Sequence, residues 1–379
     1  MKKGLYLFFA AICFFTAAKA QNTAIKPAAL DLVTGAIPLN PTAASVAEQN
    51  NLIQQLKAAG VHVIRVALTT DNVRIDFAKR AYDQGIKIEA LIEPQFPRSA
   101  LAVLNQSDNY PQIWGGLPLA SVDPVLSKSY FQILFQKLEA NGIVLAGLEL
   151  GNEINWTKLN KDFPKTIHGK IFNFDDLHHD PQAQHIAAGL LQYLKILAVL
   201  KDVRDHADLN RKTPIISAGL STVGPAGTTP NFFTLHGYAV TISATLTFLR
   251  LNGLDTLVEG YGIHYYPDDK TTASERRKRM DTYACSQCRA AGVTGGKPCW
   301  ITEWGFSNND KSCPIDDSAR ALLIKETMGN FLDLARQGRL ISVFYYSWNS
   351  APGSTQINPS SIYRCGALTD AGKLTLIRK

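Results

Sequence analysis

The chain has 379 residues, 46% of them hydrophobic, 9% aromatic and 19% charged. That much apolar side chain excludes a disordered or low-complexity polymer. The formal net charge of +7 is too small an excess on a chain this long to argue for nucleic acid as a partner.

In chain order, Lys2 and Lys3 precede an apolar run from Leu5 to Ala18, which ends in Ala18-Lys19-Ala20. This charged, apolar, small-x-small order predicts a signal peptide over residues 1–20 and a mature chain of residues 21–379. Loss of the three leader lysines takes the charge from +7 to +4. The run is shorter than the roughly 20 residues of a membrane helix, and no later stretch approaches that length. The expectation is a periplasmic or secreted protein with no stable membrane insertion after signal cleavage.

A first strand is expected near Leu30–Ile37. Ala44 to Ala59 reads as a helix, with Val46, Leu52, Ile53 and Leu56 on one face, stopped by Gly60. Val61 to Leu68 reads as a buried strand. Asp71 can cap the next helix, which runs to Gln84 before Gly85. Ile86–Ile92 is the next strand. Further strands are predicted at Val144–Leu150, Pro214–Ala218, Leu257–His264, Cys299–Glu303 and Leu340–Trp348. Helical patterns fill the gaps at Val125–Ala140, Ala183–His206, Thr241–Leu251, Ser274–Ala291 and Ile315–Arg336. Eight strand–helix alternations predict an α/β chain folded as a single (β/α)8 TIM barrel. The rival, an open doubly wound sheet, lacks its Gly-x-Gly-x-x-Gly turn after the first strand. Long βα loops at Pro94–Asp123, Asn155–Pro181 and Ser221–Tyr238 belong on the C-terminal rim, where barrels bind ligands.

Removing the leader, and Cys13 with it, leaves Cys285, Cys288, Cys299, Cys313 and Cys365. In an oxidising compartment they predict one or two disulfides and a thiol left over, with the pairing open. A zinc site on Cys285 and Cys288 would need a second close pair, which Cys299 and Cys313 do not supply. His178-His179-Asp180 reads as a polar loop and helix start rather than a metal site. The basic run Glu275–Arg279 reads as a solvated outer helix face.

Two segments carry chemistry. In Ala146-Gly-Leu-Glu-Leu-Gly-Asn-Glu-Ile-Asn-Trp156 a strand runs into Asn152-Glu153 and breaks. In Pro298-Cys-Trp-Ile-Thr-Glu-Trp-Gly-Phe-Ser307 another strand ends at Glu303. Either carboxylate alone could be a solvated loop residue. Together they end two strands three barrel units apart. Glu149 shares strand parity with Glu153 and is expected to point into the barrel, where Arg65 is one candidate partner.

These segments resemble the clan-A glycoside hydrolases, the retaining glycosidases built on (β/α)8 barrels. That clan carries Asn-Glu at the end of strand four and Glu at the end of strand seven. Asn152-Glu153 and Ile301-Thr-Glu-Trp-Gly305 match in order. Lys57 to Val66 resembles the second-strand segment, whose Arg is Arg65. Gly262-Ile-His-Tyr-Tyr266 resembles the sixth, whose His and Tyr are His264 and Tyr266. Phe344-Tyr-Tyr-Ser-Trp348 resembles the eighth, whose Trp floors the sugar subsite, here Trp348. Gly366 to Lys373 resembles the closing segment.

The resemblance implies hydrolysis of O-glycosidic, β-linked bonds in an oligo- or polysaccharide, by double displacement. Glu153 would be the acid/base and Glu303 the nucleophile. Asn152, Arg65, His264, Tyr266 and Trp348 would bind substrate or support the carboxylates. The chemistry itself asks for one proton donor to the leaving oxygen and one group to capture the oxocarbenium-like carbon. It requires no cofactor and no metal. A catalytically inactive sugar-binding barrel and a transglycosylase are the alternatives; binding alone does not need two poised carboxylates. The long rim loops, with Trp114, Trp156 and Trp304, suggest a glycan longer than one unit.

Overall fold

The computed structural model describes residues 32–101, 118–164, 169–224 and 237–376. The expected leader, Trp114 and residues 165–168 and 225–236 of the long loops lie outside the described residues.

Eight parallel strands form the barrel. They are β1 (Val33–Ile37), β2 (Val63–Ala67), β3 (Lys87–Ile92), β4 (Gly147–Leu150), β5 (in two pieces, Ile215–Ile216 and Leu220–Ser221), β6 (Tyr261–Tyr265), β7 (Cys299–Trp304) and β8 (Leu340–Tyr346). Each pairs with its neighbours in sequence, and β8 returns to β1 with Val33 opposite Ser342 and Ile37 opposite Tyr346. The first piece of β5 pairs with β4 and the second with β6, so the sheet closes. The predicted (β/α)8 barrel is therefore the fold, and the long connections lie after its strands.

The predicted helices form for the reasons visible in sequence. Asp71 accepts from the Val73 amide at the start of Asn72–Asp83, as expected. Asp180 caps Pro181–Asp205 through Gln182 and Ala183, so it is the helix start expected there, while His178 and His179 end a short helix, Asp176–His179, rather than lying in a loop. Their apolar stripes pack on the strands in one large cluster running from Leu32 to Leu376. The short helix Asp370–Leu374 packs beside the long helix Ser318–Arg336 near the closing seam.

Three expectations are corrected. The helix expected over Ser274–Ala291 ends as Ala273–Arg279 followed by a π-helical turn at Met280–Ala284. Beyond it the chain is tied by the Cys288–Cys299 disulfide and the carbonyls of Cys285 and Cys288, which accept from Arg339. Part of the basic run is not solvated. Arg276 is buried and clamps Glu326 through two nitrogens, at 3.0 and 2.6 Å. The fifth strand is not continuous over Pro214–Ala218. The Ala218 amide donates to the Tyr193 hydroxyl at 2.8 Å and the Gly219 amide to Glu149 at 2.9 Å, so both are taken from the strand ladder.

The cysteines divide as expected into two disulfides and one thiol: Cys288–Cys299, Cys313–Cys365 and a buried free Cys285. No helix among the described residues is long and apolar enough to cross a membrane.

The two bridges close loops of very different size, 11 and 52 residues apart in sequence. Loop-closure entropy then predicts that C313S/C365S costs about 4 kcal/mol and C288S/C299S about 3 kcal/mol. Urea unfolding of the two double variants should place them in that order. The reverse order, or no loss from C313S/C365S, would contradict it.

Candidate active site

The barrel interior would normally be filled by branched apolar side chains. Here its upper part is polar. Arg65 on β2 lies opposite Glu89 on β3, and Leu91 opposite Glu149 on β4. Arg65, Glu89 and Glu149 are all buried. Burying charges is costly unless each is paired and hydrogen-bonded, so their contacts matter.

Arg65 meets three acceptors on three separate nitrogens. Its Nε donates to Glu149 Oε2 at 2.5 Å, Nη1 to Glu303 Oε1 at 2.8 Å and Nη2 to Asn152 Oδ1 at 3.0 Å. Burial works against its charge. Glu149, Glu303 and Glu89 outweigh burial and hold the guanidinium above its usual range.

Glu303 reaches this cluster through an irregularity in β7. Ile301 pairs with Ile263, but Glu303, two residues on, pairs with the very next residue, His264. The extra residue is a β-bulge, a device that re-aims side chains beside active sites. It lets adjacent Thr302 and Glu303 both face inward. Thr302 Oγ1 donates to Glu149 Oε1 at 2.9 Å. Glu303 Oε2 accepts from the Tyr266 hydroxyl at 2.6 Å. Burial opposes ionisation of Glu303, but His264, Arg65 and the Tyr266 hydrogen bond together hold its carboxyl below the usual range. Burial, with Glu303 alongside, pushes the Tyr266 hydroxyl well up, so it stays a donor.

Glu153 stands where β4 has just ended. Its backbone takes the left-handed conformation, φ 47°, which costs energy for a residue with a Cβ. The Glu153 amide donates to the Gly219 carbonyl at 2.8 Å and locks that turn. Glu153 Oε2 accepts from Trp156 Nε1 at 2.8 Å, and Oε1 lies 2.9 Å from His264 Nδ1. The same nitrogen is 3.5 Å from Glu303 Oε2. One oxygen of each carboxylate and a His264 ring nitrogen lie within 4.8 Å of one another. The other ring nitrogen, Nε2, packs against Gly219, where an added Cβ would come within 2.2 Å. Burial disfavours charge on the His264 ring, but Glu303 and Glu153 outweigh it and raise its proton affinity.

Six of the seven residues singled out in the sequence thus converge: Glu153, Glu303, Asn152, Arg65, His264 and Tyr266. Trp348 does not join them. It lies two residues beyond β8 and is fully buried, and its ring is stacked on Tyr363 at 5.2 Å. Its amide donates to Ile37 and its carbonyl accepts from Tyr363, which draws it under the C-terminal hairpin, the antiparallel pair Tyr363–Arg364 and Ala367–Leu368, and leaves no open ring face. Among the described residues Tyr346 stands at the mouth, half-buried at the end of β8 and edge-on to Tyr266 at 6.2 Å. Burial, then Glu303 and Glu153, push its hydroxyl up to about 12. Trp304 is also not a rim aromatic. It follows the inward-facing Glu303, so it points out into the helix layer, against Phe331 and Tyr345. Trp156 is buried, and it holds Glu153. The spacing of three residues between Glu153 and Trp156 was the available signal for that contact.

No family model matches the chain, and no curated protein does. The fold, however, recurs among solved structures. One fungal β-1,4-galactanase structure matches with a TM-score of 0.54 at 15% identity, covering 90% of this chain and 99% of that one. A GH5-4 broad specificity endoglucanase from an uncultured bacterium matches at 0.52 and 14% identity, covering 92% and 94%. A family 5 xyloglucanase from Paenibacillus pabuli matches at 0.50 and 14%, covering 91% and 97%. What this chain shares with these glycoside hydrolases is the (β/α)8 architecture over nearly its whole described length.

Removing Arg65 would leave Glu149 and Glu303 buried without their shared cation. R65A should therefore lose about 3–5 kcal/mol of stability, read from urea unfolding at neutral pH. A loss below about 1 kcal/mol, the size of an exposed pair, would mean that the cluster is not bound together by this charge.

Proposed function

We propose that this protein is an exported, retaining glycoside hydrolase of the clan-A type. It would cleave β-linked O-glycosidic bonds of an oligo- or polysaccharide. One observation carries the reading: two carboxylates at the barrel mouth are close enough to flank one anomeric carbon, and each has distinct partners. The separation within 4.8 Å suits double displacement, which needs about 5–5.5 Å between carboxyl groups, better than the 6.5–9.5 Å of single displacement through water.

Glu303 is the nucleophile. Arg65 and Tyr266 each donate to one of its oxygens, which favours the anion. Glu153 is the acid/base. In the first step a Glu303 oxygen bonds to the anomeric carbon, the glycosidic C–O bond breaks, and the leaving oxygen takes the proton of Glu153. In the second step Glu153 accepts a proton from water, whose oxygen attacks the same carbon and releases Glu303. Asn152 Oδ1 is committed to Arg65, which leaves its amide N–H groups to donate to a sugar hydroxyl. The Tyr346 ring supplies an apolar face beside the carboxylates. The two disulfides suit the oxidising compartment that the leader implies.

A screen of chromogenic glycosides and polysaccharides should find a β-linked substrate. E303Q should abolish its turnover while the fold survives, and an unchanged rate would remove Glu303 as nucleophile. E153A should act only on substrates with good leaving groups and gain activity from added small anions; an equal loss on every substrate would remove the acid role. The lowered carboxyl of Glu303 must lose its charge for activity to fail in acid. The acid limb of kcat/KM should accordingly fall below about 4.3, the ordinary Glu value. A limb near 6 would contradict the arrangement around Glu303.

A further inference from the structure

Beneath the two catalytic carboxylates lie two more, Glu149 and Glu89, which the reaction above does not use. We propose that Glu149 is a positioning residue that fixes both catalytic carboxylates, Glu303 through Arg65 and Glu153 through Gly219. The inference rests on the reading of Glu303 as nucleophile and Glu153 as acid/base.

The geometry runs as two branches from one side chain. Through Oε2, Glu149 takes the Arg65 Nε–H, which fixes the plane of the guanidinium and aims Nη1 at Glu303. Through Oε1, it takes the Gly219 amide at 2.9 Å, and the Gly219 carbonyl in turn accepts from the Glu153 amide at 2.8 Å. Thr302 Oγ1 donates to the same Oε1, which ties the residue before the nucleophile to the same anchor. Donors from β2, β5 and β7 thus converge on one buried carboxylate of β4. Two departures from regular barrel geometry serve it. At Gly219 a ladder amide is given up to Glu149, and at Thr302 the β7 bulge turns a hydroxyl inward toward it. A residue needed only to fill the core would require neither.

Glu89 is the natural contrast. It lies beside Arg65 in register, yet its Oε1 has no hydrogen-bond partner among the described residues. Burial and then Glu149 push its carboxyl well up. The donors converge on Glu149 instead, from Arg65, Gly219 and Thr302. The titratable and charged groups around this anchor are Arg65 on β2, Glu89 on β3 and Tyr193 on the helix Pro181–Asp205. Those around Glu303 are Arg65, Glu153, His264, Tyr266 and Tyr346.

The test compares E149A, E149Q and E89Q with the wild type, on the same substrate and per folded molecule. In E149A the guanidinium loses its anchor. We expect kcat to fall about 10²-fold, the cost of a small misplacement, with KM little changed. The acid limb of kcat/KM should move to higher pH as Glu303 loses its cation. E149Q keeps an acceptor for Arg65 Nε. It should recover at least tenfold in kcat over E149A while staying below the wild type, with a limb at lower pH than that of the wild type. E89Q should keep the wild-type limb. A limb unmoved in E149A, with only the urea midpoint lowered, would overturn the proposal. So would a limb moved by E89Q and not by the Glu149 variants. If E149A does not fold, E149Q decides alone: reduced kcat with a lowered limb supports the proposal, and a profile superimposed on the wild type overturns it. Turnover surviving in E303Q would instead defeat the underlying reading of the site, whatever the Glu149 variants do.

Discussion

One buried guanidinium organises this molecule's chemistry. Arg65 is 3% exposed and presents separate nitrogens to Glu149, Glu303 and Asn152. A lysine could supply the charge but not the fixed fork that addresses three acceptors at set angles. Such a cluster is weak evidence for stability, because its desolvation cost is of the same order as its internal attraction. Its value is geometric. It fixes the Glu303 carboxyl at the barrel mouth and, with His264 and Tyr266, holds it below the usual range.

That requirement propagates outward into the barrel. To seat Arg65 the interior must carry carboxylates where barrels usually carry Val, Ile and Leu. To satisfy Glu149 the fifth strand gives up the Gly219 amide and the seventh takes an extra residue at Thr302. The space those changes need is made by glycine: an added Cβ at Gly219 would meet His264 Nε2 at 2.2 Å. The same glycine's carbonyl receives the Glu153 amide and so supports a left-handed turn at the fourth strand's end. The helix layer outside is ordinary by comparison, with apolar stripes on the sheet and capped helix starts.

Much of this was legible in the chain before any coordinates. The strand–helix alternation gave the barrel, because each element shows its own period of apolar residues. Glu153 and Glu303 were recognisable because each ends an apolar strand in a segment of known type. What escaped reading depended on contacts between distant segments. The break in β5 needs Tyr193 and Glu149 as acceptors, one 25 and the other 70 residues away. The helix beyond Arg279 is shortened in a region set by a disulfide whose pairing spacing alone left open. Trp348 was placed in the site by its motif, but the C-terminal hairpin covers it, and Tyr346 stands at the mouth. Strand parity could have assigned Trp304 to the helix side, since its neighbour Glu303 faces in.

The most direct test of the account is to find where a trapped sugar is attached. The protein would be inactivated with the 2-deoxy-2-fluoro derivative of whichever glycoside it cleaves, digested, and its peptides sequenced by mass spectrometry. The account predicts one glycosyl adduct, on the side chain of Glu303. An adduct on Glu153, on Glu149 or on any other residue would contradict it, as would complete turnover of a cleaved glycoside with inverted anomeric configuration.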